Sequence, residues 1–175
     1  MYHKHNTEGV IIRGSERGEA SKDILLFTKE FGLIYASVQN ARSLESKLRY
    51  SIQDFTIGNF VLVRGKHSWK MVGAEINRNI YQGLTLIANI FNLLRKLIGE
   101  EKNEELYEII RNFLDDLENT DSNQTKNLET LTVLRILKNQ GLLEENEKQI
   151  EILSGNLSQA IKTINASLSA AQLSL

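Results

Sequence analysis

Arg42, Lys47 and Arg49 share one short polar segment in which Glu45 is the one opposing charge. Guanidinium and ammonium groups at that density suit phosphate oxygens, the source of most nucleic-acid affinity. Arg64 and Lys66 flank Gly65, and a glycine lets a loop approach a phosphate backbone closely. Arg13, Lys22 and Lys70 complete the set of candidate cations. For any one of them a solvated surface charge is the plainer alternative; the Arg42–Arg49 group is the stronger signal. Binding of a single strand also needs flat groups on which bases stack. Tyr35, Tyr50 and Trp69 are the candidates, with burial in a core the favoured reading for Tyr35 and Trp69. Phe27, Phe55 and Phe60 alternate with other apolar residues and are assigned to the core.

Covalent and metal chemistry find little support. The chain has no cysteine, which removes disulfides, thiolate metal sites and a thiol nucleophile. Gly65-Lys66 is not a phosphate loop: that motif needs glycine five residues earlier and Ser or Thr after the lysine, where Phe60 and His67 stand. Gly14 to Gly18 lacks the dinucleotide fingerprint, and no Gly-x-Ser-x-Gly elbow exists. His3 and His5 fall in an expected tail and His67 in an expected loop, without carboxylates at ligand spacing. Asp115 and Asp116 are adjacent on a helix pattern and read as a solvated face. No cofactor or metal is expected, and the chain reads as a binding protein, not an enzyme.

Charge is unevenly spread. Residues 1–80 carry 12 Lys and Arg against 8 Asp and Glu, whereas residues 81–175 carry 9 against 14. The amino-terminal part is thus net positive and the remainder net negative, which suits a polyanion partner for the first and another task for the second. Hydrophobic content of 41% and charged content of 25% fit a globular protein. The amino-terminal residues have no apolar signal segment, and no run is long enough to span a bilayer. A cytoplasmic location follows as an expectation.

These residues need a scaffold, and two periods divide the chain. Thr7–Arg13, Asp23–Thr28, Phe31–Val38, Phe55–Val63 and Trp69–Ile76 are short, β-branched or aromatic runs, which predicts strands. Lys29 to Gly32 fits a tight reversal and Arg64 to Ser68 a hairpin loop. Five such strands suggest a Greek-key barrel of the OB type. Leu44, Leu48 and Ile52 fit a short helix between the third and fourth. Beyond Tyr81 the period becomes helical. Stripes run through Leu84, Ile87, Phe91, Leu94 and Ile98; through Leu106, Ile110, Phe113 and Leu117; through Leu128, Leu131, Leu134 and Leu137; and through Leu157, Ile161, Ile164 and Leu168. Gly99 and Gly141 are expected helix stops, and Gln149–Leu153 is read as a brief strand. The expected class is α+β: an OB-like five-stranded barrel over 1–78, then a helical domain over 79–175.

Several motifs match a known family. Thr7-Glu8-Gly9-Val10-Ile11-Ile12-Arg13, then Gly18-Glu19-Ala20-Ser21-Lys22-Asp23-Ile24-Leu25-Leu26-Phe27-Thr28, resembles the opening of the bacterial RecO recombination mediators. Asn40-Ala41-Arg42-Ser43 with Ser46-Lys47-Leu48 is similar to that family's basic segment, with Asn40 in place of glycine and Ser43 in place of arginine. Thr132 to Leu142 is similar to a RecO helix ending in Gly-Leu. After Leu143 the likeness fails: Glu144-Glu145-Asn146-Glu147-Lys148 stands where many RecO proteins carry a four-cysteine zinc module.

The resemblance implies a DNA repair and recombination mediator in the cytoplasm, at the nucleoid. It would bind single- and double-stranded DNA without sequence preference and cooperate with a RecR-like protein. It also implies a helical domain that takes the acidic tail of the single-strand-binding protein, with Arg95, Lys96, Arg111 or Arg135 as rim cations of such a groove. Two alternatives stand beside it: a protein–protein adapter whose barrel has lost DNA binding, and an RNA-binding OB module.

Overall fold

Ile24 to Phe27 is an unbroken apolar run, whereas Ile34, Ala36 and Val38 alternate with Tyr35 and Ser37. A strand with that period buries one face and offers the other. In the computed structural model, which describes residues 3–41, 48, 52–66, 68–121 and 124–172, five strands form: β1 (Lys4–Arg17), β2 (Ser21–Thr28), β3 (Gly32–Val38), β4 (Thr56–Arg64) and β5 (Trp69–Asn79). They close into a barrel in the order β1-β2-β3-β5-β4. All pairings are antiparallel except β3 with β5, which run parallel. The closing contact between β3 and β5 is short, Ala36 with Trp69 and Ser37 with Lys70. This is the topology expected of an OB-type barrel.

β1 is longer than its apolar run suggests because it serves two neighbours. Lys4 to Val10 pair with β4, and Gly9 to Arg17 pair with β2. An extra residue between Ile11 and Arg13 bends the strand at the change of partner. The interior is filled by Ile11, Ile24, Leu26, Ile34, Phe60, Leu62, Trp69 and Met71, all nearly inaccessible. Gly58 has a specific role: a Cβ there would lie 2.4 Å from the Glu75 carbonyl oxygen, so only glycine lets β4 and β5 approach beside their bulge.

The β2–β3 reversal falls where the sequence places it. The Thr28 hydroxyl donates to the Gly32 carbonyl at 3.0 Å and accepts from the Phe31 N–H at 3.0 Å. Asn40 adopts φ +53°, a left-handed conformation that asparagine tolerates better than most residues. Asn40, where the resemblance would place glycine, therefore keeps the turn. The short helix expected between the third and fourth strands falls largely on residues outside those described; of its apolar positions, Leu48 packs against the barrel interior and Ile52 is buried.

The contacts divide the chain into two units, Met1–Tyr81 with Ile98–Glu104, and Gln82–Leu97 with Glu105–Leu175. The inclusion of Ile98–Glu104 in the barrel unit was not visible in the sequence. Gly99 does not end a helix in the left-handed conformation; its carbonyl oxygen accepts the Leu33 N–H at 3.0 Å. Gly32, at φ +66°, receives this segment closely: a Cβ there would sit 2.2 Å from the Glu101 carbonyl oxygen. Lys102 reaches Glu30 at 3.0 Å and Lys29 reaches Glu104 at 3.5 Å. Residues 98–104 thus strap the β2–β3 end of the barrel.

The second unit is helical: α1 (Leu84–Leu97), α2 (Glu104–Asn119), α3 (Thr125–Asn139), α4 (Glu147–Gly155) and α5 (Leu157–Ala170). α1 and α2 bury the expected apolar faces, including Ile87, Phe91, Leu94, Leu106, Ile110, Phe113 and Leu117. α3 is buried more broadly than one stripe, and Thr130 and Thr132 return their hydroxyl protons to the Lys126 and Leu128 carbonyls at 2.8 Å each. Gly141, at φ +70°, stops α3 as expected, with the Leu142 N–H donating back to the Leu137 carbonyl. In α5 it is Ala160, not Ile161, that turns inward; Ile161 is exposed.

One expectation is overturned. Gln149–Leu153 is helix, not strand, because Asn146 and Gln149 form a capping box. The Asn146 side chain accepts the Gln149 N–H at 3.1 Å and the Gln149 side chain accepts the Asn146 N–H at 2.9 Å.

Candidate nucleic-acid interface

The barrel's outer face carries a row set by strand register. Arg13 on β1 pairs with Leu25 on β2, and Leu25 pairs with Tyr35 on β3. Opposed residues share a face, so the three stand side by side, with Arg13 and Tyr35 about 10 Å apart at the backbone. Arg13 is exposed and Tyr35 is 63% exposed. The expectation that Tyr35 is buried is therefore corrected. The signal was present: Ile34, Ala36 and Val38 take the inner face of β3, so the period of two sends Tyr35 and Ser37 outward.

A parallel row lies one step along. Ser15 pairs with Asp23, Asp23 with Ser37, and Ser37 with Lys70 across the parallel β3–β5 contact. Lys70 is exposed and forms no ion pair among the described residues, and the same holds for Arg13 and Lys66. Lys66 lies in the β4–β5 loop, closed by the Gly65 N–H donating to the Ser68 carbonyl at 2.9 Å. Lys22 is half-buried at the opposite end of β2, where its ammonium donates to the Ile52 carbonyl at 3.3 Å. Arg17, close by, is held by Asp23 at 3.1 Å. Arg42, Lys47, Arg49 and the stacking candidate Tyr50 lie outside the described residues.

Arg64 differs from the other cations. Its guanidinium sits over the Trp69 ring, 4.7 Å from the centroid, and bonds to the Glu100 carboxylate. Trp69 is buried as expected, at 4% exposure, and donates its indole N–H to the same Glu100 oxygen at 2.9 Å. Phe31 and His5 pack on the indole with centroids 4.7 Å and 5.6 Å away. Glu100 drew no attention in the sequence, since its place depends on the strap returning to the barrel.

The helical unit arranges its charges otherwise. A groove of about 220 Å³ is lined by Glu105, Ile109, Asn112, Arg135, Lys138, Asn139 and Glu147. Its cations are satisfied within it: Arg135 holds Glu147 at 2.6 Å and Lys138 reaches the same carboxylate at 3.6 Å. Arg111 is paired with Asp115 at 3.6 Å. Arg95 and Lys96 stand exposed in the last turn of α1. Burial, with smaller contributions from the Glu108 and Asp115 charges, pushes the Tyr107 hydroxyl well above the ordinary phenol range. Among the described residues no group of His, Asp or Glu is placed to hold a metal, and no helix is long and apolar enough to cross a membrane.

Comparison with known proteins bears on the barrel most directly. Residues 1–80 match the family model described as recombination protein O, N terminal. The chain is 30% identical over 133 residues to the DNA repair protein RecO of Gloeothece citriformis, covering 71% of this chain and 47% of that protein. It is 27% identical over 117 residues to the DNA repair protein RecO of Thermoanaerobacter sp., covering 62% and 46%. Over 93 residues it is 32% identical to that of Synechocystis sp., covering 53% and 33%. The chain spans about half the length, or less, of these curated relatives.

Proposed function

We propose, from the match of residues 1–80 to the RecO amino-terminal family model and the likeness to RecO relatives, that the chain serves DNA repair and recombination by holding single-stranded DNA on the outer face of β1, β2 and β3. The observation that carries the reading is the Arg13–Leu25–Tyr35 row: an exposed guanidinium and an exposed ring on either side of the buried Leu25, on a closed five-stranded barrel. OB barrels bind oligonucleotides on the face of their second and third strands and on the β1–β2 and β4–β5 loops. Tyr35 supplies a stacking surface for a base; Arg13, Lys70 and Lys66 supply charge for phosphates. Lys22 and Arg64 are further cations of the barrel, and Arg42, Lys47 and Arg49, outside the described residues, are candidates from the sequence. None of these contacts reads base identity, so recognition is independent of sequence. The task is binding, not bond-making, in the cytoplasm at the nucleoid, with a RecR-like protein and the acidic tail of the single-strand-binding protein as partners.

The test is a fluorescence-anisotropy titration of a labelled single strand at rising salt. The logarithm of affinity should fall linearly with the logarithm of salt, by about 0.7 per phosphate contacted. Arg13→Ala and Lys70→Ala should each shallow that slope by roughly one such increment. No binding even at low ionic strength would favour a protein–protein adapter, and a marked preference for RNA over DNA an RNA-binding module.

A further inference from the structure

We propose that Glu100 is a built-in competitor for phosphate at Arg64, so that the strap sets the affinity of the barrel for DNA. The inference rests on the DNA-binding reading above and names a determinant within the same surface. Arg64 is the last residue of β4, at the mouth of the β4–β5 loop where OB barrels meet oligonucleotides. Of the cations on that side, Lys66 and Lys70 form no ion pair among the described residues, whereas Arg64 is bonded to a carboxylate. That carboxylate is held in place. The same Glu100 oxygen accepts the indole N–H of buried Trp69 at 2.9 Å, and the adjoining Gly99 carbonyl is anchored by the Leu33 N–H at 3.0 Å. Lys102 to Glu30 and Lys29 to Glu104 fix the rest of the segment.

A carboxylate and a phosphate present the same kind of oxygen pair to a guanidinium, so one can replace the other. The exchange is open to solvent: the Arg64 and Glu100 side chains are 53% and 39% exposed. The ring beneath Arg64 keeps the guanidinium in position when the carboxylate leaves. An isolated anion gains little by displacing a tethered carboxylate. A strand already held at Tyr35, Arg13 and Lys70 delivers its next phosphate at high effective concentration. Glu100 therefore biases Arg64 towards extended polyanions.

The experiment uses the full chain and four proteins: wild type, Glu100→Gln, Arg64→Ala and the double variant. Gln keeps an oxygen for the Trp69 indole but removes the charge. Each is titrated with a labelled single-stranded oligonucleotide across a salt series, with Trp69 fluorescence confirming an intact barrel. Glu100→Gln should tighten binding by about two- to five-fold, the range of an exposed ion pair. It should also steepen the salt slope by roughly 0.7, one added phosphate contact. The gain should vanish in the double variant. Wild-type binding with no gain in Glu100→Gln overturns the competitor and leaves the DNA-binding reading standing; so does a gain that survives Arg64→Ala, because it is then general charge. No binding by any of the four proteins at low salt overturns both.

Discussion

The outer face of the barrel and the groove of the helical unit use charge in opposite ways. On the barrel, Arg13, Lys66 and Lys70 project outward without a carboxylate partner among the described residues, next to an exposed tyrosine. In the helical unit, Arg135, Lys138 and Arg111 are each taken by Glu147 or Asp115. Cations left unpaired keep their field for an external anion, whereas paired ones contribute local order and little long-range attraction.

The strongest way to break this contrast is to unfold one side of it. Phe60 lies wholly inside the barrel, and Phe60→Ala should cost about 3–5 kcal/mol of stability. Trp69 is the chain's one tryptophan and sits in the same interior, so its fluorescence reports the barrel's state. DNA binding should disappear with that signal. A strand still bound by a chain whose tryptophan has become exposed would move the site to the helical unit. A smaller effect sharpens the picture: Tyr35→Ala should weaken single-strand affinity by about 1–3 kcal/mol while Tyr35→Phe leaves it nearly intact. Equal losses in both variants would point to the hydroxyl and remove the stacking role.

Much of the barrel was legible because its signals are local. The apolar run of β2, the alternation along β3 and the reversal at Thr28–Gly32 depend on residues close in sequence. The outward position of Tyr35 was equally legible, but tyrosine's usual preference for burial outweighed the alternation around it. The α4 capping box was also in the sequence as Asn146-x-x-Gln149, hidden by the β-branched pair at Ile150 and Ile152. Glu100 is a different case. Its bond to Arg64 joins positions 36 residues apart in number through a strap that follows α1, and no periodicity reports where such a segment docks. The Arg13–Tyr35 row was hidden for a related reason, since it depends on the one-residue shift between Ile11 and Arg13. Without that bulge every later residue of β1 would face the other way.

The contrast also predicts what the helical cations do not do. Arg135→Ala and Lys138→Ala should leave single-strand affinity and its salt slope unchanged, and cost about 0–1 kcal/mol of stability, because they break partly exposed pairs. A slope that falls in either variant would place phosphates on α3 and end the distinction between the two units.

Tyr107 gives the gentlest test, one confined to the helical unit. Its hydroxyl titrates above the ordinary phenol range because burial disfavours the phenolate, and the neighbouring Glu108 and Asp115 charges act in the same direction. Above a pH of about 10 an unfolded chain loses this proton while the folded chain retains it. The folded state then binds more protons than the unfolded one, so stability falls as pH rises, by at most about 1.4 kcal/mol per pH unit from this group. The stabilisation is complete below the ordinary phenol value and is lost on the way up to the raised one. Urea titrations of wild type and Tyr107→Phe, followed by helical circular dichroism, should diverge in that alkaline window and run parallel below it. Lysines titrate in the same window in both proteins, so only the difference between them belongs to Tyr107. Curves that stay parallel throughout would mean that the hydroxyl is not held protonated by the fold.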